Sequence, residues 1–208
     1  MTRGKFITIE GVEGVGKTTS IAFIESYFNQ LGQSILLTRE PGGTPLAEKI
    51  RDLLLDARQT SMADDTELLL MFAARAQHLN EKIIPSLNSG QWVICDRFTD
   101  ATYAYQGGGR GIDQSRIASL EEWVQGSLRP DMTLLLDLPV ELGLKRAGER
   151  SEPDRFEQEK QAFFERVRAC YLSMAAAEPQ RYRIIDANGS VEEVQSRIKV
   201  VLDELTRS

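Results

Sequence analysis

The chain of 208 residues is poor in cysteine, in histidine, in long apolar runs and in excess positive charge. Its two cysteines, Cys95 and Cys170, lie far apart and form no CxxC or other metal-ligand spacing, so a disulfide scaffold and a zinc site are both excluded as organising elements. Two reduced thiols in a reducing compartment are expected. The single histidine, His78, has no nucleophile–base pair that can be drawn around it and reads as structural. No segment approaches the roughly 18 consecutive apolar residues that a membrane helix requires. Met1-Thr2-Arg3-Gly4 runs directly into an apolar stretch without the pattern of a signal peptide, so a cytoplasmic protein with no membrane partner is expected. With 25 Lys and Arg against 31 Asp and Glu, the formal net charge is −6. Such a balance excludes a generic nucleic-acid binder, since affinity for a polyphosphate needs a basic surface. Any phosphate recognition must be local.

What remains is ordinary for a globular protein: 41% hydrophobic and 27% charged residues, without repeat, low-complexity tract or linker. The length suits one domain, residues 1–208. Short apolar runs alternate with longer helical patterns. Phe6–Glu10, Ser34–Arg39, Trp92–Asp96, Thr133–Asp137 and Tyr182–Asp186 are continuous apolar or β-branched runs that each end in a charged residue, as expected for strands covered on both faces. Helices are predicted over Thr18–Leu31, Pro45–Leu55, Thr66–Leu87, Asp113–Gln125, Phe156–Ala177 and Val191–Leu205. Thr44 serves as N-cap and Pro45 as first helical residue of the second. This alternation predicts an α/β fold, a five-stranded parallel sheet flanked by helices on both faces. Ligands of such sheets bind beyond the carboxyl ends of the strands. Glu10, Arg39-Glu40, Asp96-Arg97 and Asp137 all fall there.

Gly11-Val12-Glu13-Gly14-Val15-Gly16-Lys17-Thr18 matches G-x-x-x-x-G-K-[ST] between a strand and a helix, the context of a phosphate-binding P-loop. Its glycines let backbone N–H groups turn inward onto phosphate oxygens, and the following helix N-terminus, with Thr19, adds partial positive charge. Lys17 reaches the β- and γ-phosphates of a bound nucleotide, and the Thr18 hydroxyl is a ligand for Mg²⁺. Asp96, at the end of Trp92–Asp96, is the better candidate for the second Mg²⁺-holding group, with Asp137 as competitor. Glu13 breaks the electrostatic logic of the loop, because a carboxylate repels the phosphates around it, and is expected to be functional for that reason.

Five segments occur in order: Gly11-Val12-Glu13-Gly14, Arg39-Glu40-Pro41-Gly42-Gly43-Thr44, Phe72-Ala73-Ala74-Arg75, Asp96-Arg97-Phe98 and Thr102-Tyr103-Ala104-Tyr105-Gln106-Gly107. With Asp154-Arg155-Phe156-Glu157 they make the chain resemble, nearly end to end, thymidylate kinases of the bacterial type. The resemblance implies the nucleoside monophosphate kinase architecture and transfer of the γ-phosphoryl group of ATP to dTMP with Mg²⁺. It implies that Arg97 holds the acceptor phosphate and that Phe72 stacks on thymine. Arg75, Thr102 and Gln106 then lie at the base edge, Tyr105 near the sugar, Glu13 at the 3′-hydroxyl, and Arg39, Glu40 and Pro41 beside the acceptor. The family carries a catalytic arginine either in the P-loop or in a lid. This P-loop has none, so a short lid over about residues 145–156 is expected to supply it, with Arg150 and Arg155 toward the transferred phosphoryl and Arg146 nearer the donor. A homodimer is implied by the same analogy. A nucleoside kinase on the same scaffold is the rival within enzymes. A GTPase-type switch would need an Asn-Lys-x-Asp guanine signature, which the chain lacks.

Overall fold

The computed structural model describes residues 3–58, 61–148 and 154–207. Five parallel strands, β1 (Phe6–Glu10), β2 (Ile35–Arg39), β3 (Trp92–Asp96), β4 (Met132–Asp137) and β5 (Tyr182–Asp186), form one sheet in the order β2-β3-β1-β4-β5. Three strands match their sequence reading residue for residue, and the other two shift at their start by one residue. Central β1 is buried along its whole length. Its residues alternate between two layers, as the period of a strand requires. Ile7 and Ile9 join one core with Leu134, Leu136, Phe164, Val167, Ile198 and Leu202, while Phe6 joins another with Val93, Cys95, Phe98, Leu79 and Ile83.

The helices are α1 (Lys17–Gln30), α2 (Pro45–Leu55), α3 (Asp64–His78), α4 (Ile84–Asn88), α5 (Thr99–Thr102), α6 (Gln114–Gln125), α7 (Val140–Gly148), α8 (Gln161–Ala177) and α9 (Val191–Arg207). Thr44 caps α2 as expected, its hydroxyl accepting from the Ala47 N–H at 3.2 Å. The long helix expected over Thr66–Leu87 is α3 and α4 joined by a π-helical turn at Leu79–Ile83. The helix expected from Phe156 begins at Gln161, because Asp154 closes a turn by accepting from the Phe156 and Glu157 N–H groups, 2.9 Å each. A second π-helical stretch, Tyr103–Gly109, extends α5 and packs on α8.

The strand order locates the site. The chain leaves β1 toward β2 on one side and leaves β3 toward β4 on the other. The crevice between the carboxyl ends of β1 and β3 is thus the point where the winding reverses, the preferred ligand position in such sheets. Register sets Ile9 opposite Asp96, and the Arg97 N–H donates to the Ile9 carbonyl at 3.0 Å. The Gly11–Thr18 loop and Asp96-Arg97 therefore flank one crevice.

Candidate active site

The loop after β1 follows from its glycines. Gly11, Gly14 and Gly16 have φ of 139°, 72° and 93°, values that L side chains rarely adopt. Gly14 also lies so close to α7 that a Cβ would stand 1.8 Å from the Gly143 carbonyl oxygen. Val12 and Val15 bury their side chains in the core, so they offer the site only backbone. Thr18 and Thr19 are exposed in the first turn of α1. That turn has neither a side-chain cap nor an acidic residue, which leaves its N–H groups free to bind an anion. Lys17 Nζ donates to the carbonyls of Gly11 (3.1 Å) and Val12 (3.3 Å), folding across the loop. Desolvation lowers the pKa of this ammonium and Arg97 lowers it further, while Asp96, Glu13 and Glu10 oppose them.

The conflict expected at Glu13 is resolved by its partners. One carboxylate oxygen accepts from Arg97 Nη2 at 2.8 Å and the other from the Tyr105 hydroxyl at 2.6 Å. Arg97 has φ 67°, the only positive value of a non-glycine residue among the described residues, and such strain clusters at functional sites. Its guanidinium stacks 4.6 Å over the Tyr105 ring, and Nη1 is buried without a hydrogen-bond partner among the described residues. Asp96 Oδ1 is in the same condition. Asp137, its competitor, is engaged by Arg168 through two bonds of 2.7 and 2.9 Å.

Among the described residues no cluster of three His, Cys, Asp or Glu side chains is arranged to hold a metal. A Mg²⁺ ion that rides on nucleotide phosphates needs only one or two protein oxygens. The unpartnered Asp96 Oδ1 beside the P-loop and the exposed Thr18 hydroxyl fit that need.

A cleft of about 250 Å³ opens beside these groups, lined by Glu13, Lys17, Arg39, Glu40, Pro41, Asp96 and Arg97 together with Arg75, Thr102, Tyr105 and Gln106. Arg75, 3% exposed, donates through Nε to Glu40 (2.7 Å) and through Nη2 to the Thr102 hydroxyl (3.0 Å), while Nη1 has no partner among the described residues. The other Glu40 oxygen is 3.0 Å from His78 Nδ1, whose Nε2 lies 2.6 Å from the Thr38 hydroxyl. His78 thus buttresses Glu40, in keeping with its structural reading. Arg39 pairs with Glu48 at 2.8 Å.

Two expectations change. Phe72 is buried in the core with Leu68, Ile112 and Ile117 and does not line the cleft. Met71 does. A helix turns about 100° per residue, and Met71 stands four residues before Arg75, so both project to the same face, whereas Phe72 turns inward beneath the Arg75 guanidinium. The lid arginines also differ. Arg155 does not line the cleft: its Nε donates to the Leu54 carbonyl at 2.8 Å, its Nη2 lies 2.6 Å from Glu67, and its guanidinium stacks on Phe156. Arg146 donates to the Ala187 carbonyl at 3.3 Å. Arg150 lies outside the described residues.

Met71 and Arg51 line the cleft, and Glu67 bonds to its lining residue Gln106, without having stood out in the sequence. Arg51 lines the cleft from α2 and donates to the Pro41 carbonyl at 2.8 Å. The i, i+4 spacing to Arg75 was the available signal for Met71. For Glu67, only its burial within α3 distinguishes it from its acidic neighbours.

The family model for thymidylate kinase matches residues 9–198. The thymidylate kinase of Pseudomonas syringae pv. tomato is 59% identical over 202 residues, covering 97% of this chain and 96% of the relative. That of Pseudomonas putida strain GB-1 is 60% identical over 199 residues, with 96% and 95% covered. The crystal structure of thymidylate kinase from Ehrlichia chaffeensis superimposes with a TM-score of 0.77 at 34% identity, over 97% of this chain and 99% of that one. By sequence and by fold, this chain belongs to the thymidylate kinase family.

Proposed function

We propose that the protein transfers the γ-phosphoryl group of ATP to dTMP, giving dTDP and ADP. The observation that carries this reading is the geometry at Arg97: a half-buried guanidinium on a strained backbone beside the P-loop, its Nη1 without a partner among the described residues, lining a cleft that Arg75, Thr102 and Gln106 also line. A planar fork of this kind suits a phosphate. In this reading the loop amides and Lys17 hold the donor's phosphates, and Arg97 holds the acceptor's phosphate. Arg75, Thr102 and Gln106 read the base edge, Met71 packs on its face, and Tyr105 and Glu13 stand at the sugar. The loop Arg39-Glu40-Pro41 with Arg51 closes the acceptor's side. Thr18 and Asp96 would hold a Mg²⁺ ion, which would supply positive charge to offset that of the transferring group. The two substrates meet in line, so positioning supplies most of the rate and no covalent intermediate is needed. Lys17 and Arg97 are the cations assigned to the transfer, and the family resemblance adds Arg150. Arg155 serves as the lid's tether to Glu67, and Arg146 anchors α7 below the donor.

The protein acts as a single domain in the cytoplasm and without nucleic acid. Among the described residues no helix is long and apolar enough to cross a membrane. A homodimer forms through α2 and α3. Leu46 and Leu53 share one stripe of α2, and with Leu69 of the adjoining α3 each is more than half exposed. Leu69→Glu is expected to yield a monomer by sedimentation, and an unaltered dimer would move the interface elsewhere.

Phosphorus NMR of a mixture of enzyme, ATP, Mg²⁺ and dTMP tests the reaction. The β-phosphate of dTDP should grow in with ADP, and thymidine in place of dTMP should give no dTMP. Phosphorylated thymidine with unchanged dTMP would overturn the reading in favour of a nucleoside kinase.

A further inference from the structure

Glu67 of α3 is 1% exposed, yet it lines no part of the cleft. Both its oxygens are engaged. One accepts from Gln106 Nε2 at 2.7 Å and from Arg110 Nε at 3.4 Å. The other is bonded to Arg110 Nη2 at 3.3 Å and lies 2.6 Å from Arg155 Nη2. A carboxylate between two guanidiniums offers acceptors and no donor. The Gln106 atom placed on it must therefore be the amino group, and this fixes which end of the amide is left over. A glutamine alone is ambiguous at a binding site, because its ends are nearly isosteric and opposite in hydrogen-bonding sense. Here the carbonyl oxygen remains for the cleft that Gln106 lines. Arg75 lines the same cleft and keeps one donor, Nη1, without a partner among the described residues.

We infer that Glu67 is a specificity-determining positioning residue: by locking the polarity of the Gln106 amide, it makes the cleft accept the thymine edge and reject the cytosine edge. The inference rests on the proposed dTMP reading. Thymine presents a carbonyl acceptor at C4 and a donor at N3–H, complementary to Arg75 Nη1 and the Gln106 carbonyl. Cytosine presents an amino donor at C4 and an acceptor at N3, so both contacts would set like against like. Uracil has the same edge as thymine, and Glu67 has no bearing on that choice. The same carboxylate holds Arg155, so the lid segment and the base reader share one anchor.

The test is Glu67→Gln, assayed in full-length enzyme with ATP and dTMP, dUMP or dCMP. A neutral amide at 67 can face Gln106 with either end, which frees Gln106 to turn. The kcat/KM preference for dTMP over dCMP is expected to fall by about tenfold or more, the worth of one misdirected hydrogen bond in a buried site, while the ratio of dTMP to dUMP stays fixed. A folded variant that loses activity equally on all three nucleotides would assign Glu67 a purely structural role and overturn the inference. Should the variant fail to fold, a crystal structure of the wild type with dTMP decides: Gln106 bridging N3 and Glu67 supports the inference, and Gln106 turned from the base overturns it. A wild type that makes dTDP with an unshifted variant ratio sinks this inference alone. A wild type that makes no dTDP sinks the parent reading as well.

Discussion

At the scale of the residue, Glu13 and Arg97 form one unit. The carboxylate would repel bound phosphates were it not paired 2.8 Å from the guanidinium and bonded to Tyr105. Arg97→Ala should therefore act twice. It should raise KM for dTMP by about a hundredfold, through loss of a charge-assisted phosphate contact worth roughly 3 kcal/mol. It should also weaken ATP modestly, because Glu13 is left uncompensated. Adding Glu13→Gln should restore ATP affinity without restoring dTMP use, measured by steady-state kinetics of both variants. Equal losses for the two substrates, unrelieved by the second change, would contradict the assignment. Met71 and Phe72 give a contrasting pair. Phe72→Ala removes a buried ring and should cost about 3–5 kcal/mol in urea unfolding, whereas Met71→Ala should raise KM for dTMP with little loss of stability. The sequence separated these neighbours poorly, because both are apolar on one helix and only the helix's rotation against the sheet decides which faces the ligand.

At the scale of the element, the P-loop and α7 approach each other backbone to backbone at Gly14 and Gly143. A Cβ at Gly14 would fall 1.8 Å from the Gly143 carbonyl oxygen, and one at Gly143 would fall 2.5 Å from the Glu13 carbonyl oxygen. Gly143→Ala should push α7, the helix that enters the lid, away from the loop. kcat/KM for ATP should drop at least about tenfold while the far-ultraviolet circular dichroism of the wild type is kept. Unaltered kinetics would show that this contact does not govern the donor site. The elements themselves were readable: continuous apolar runs bounded by charge marked all five strands, and Thr44-Pro45 marked the start of α2. The π-helical turns at Leu79–Ile83 and Tyr103–Gly109 were not, because nothing in local periodicity distinguishes a helix that widens by one residue. The second of these stretches carries Tyr105 and Gln106, so the part of the site least legible in the sequence is also the least regular in backbone.

At the scale of the whole molecule, strand order and long-range pairing decide function, and neither is written locally. The chain could list Glu10, Asp96 and Asp137 as strand ends, but only the order β2-β3-β1-β4-β5 sets Asp96 beside the P-loop and gives Asp137 to Arg168. Arg155 shows the same limit: its motif was clear, and its tether to Glu67 was not. Glu10 carries a consequence for overall stability. Burial first, and then the charge of Asp100, push its pKa from 4.5 up to about 8, although the Tyr171 hydroxyl and the Phe98 N–H bond to its oxygens. The folded state holds this proton more tightly than the unfolded chain, so Glu10's contribution must weaken stability as pH rises from about 4.5 to about 8. Unfolding by urea across that range should show the wild type losing stability relative to Glu10→Gln, and a difference flat with pH would contradict the burial argument.

All three scales meet in one claim, that the crevice between β1 and β3 takes ATP and a thymidine monophosphate together. A coupled assay of ADP release, run with ATP, Mg²⁺ and a panel of dTMP, dUMP, dCMP and thymidine, tests it most directly. The highest kcat/KM is expected for dTMP, with a clear loss for dCMP and no turnover of thymidine. Thymidine outrunning dTMP, or dCMP matching it, would show that the crevice is not built for a thymidine monophosphate.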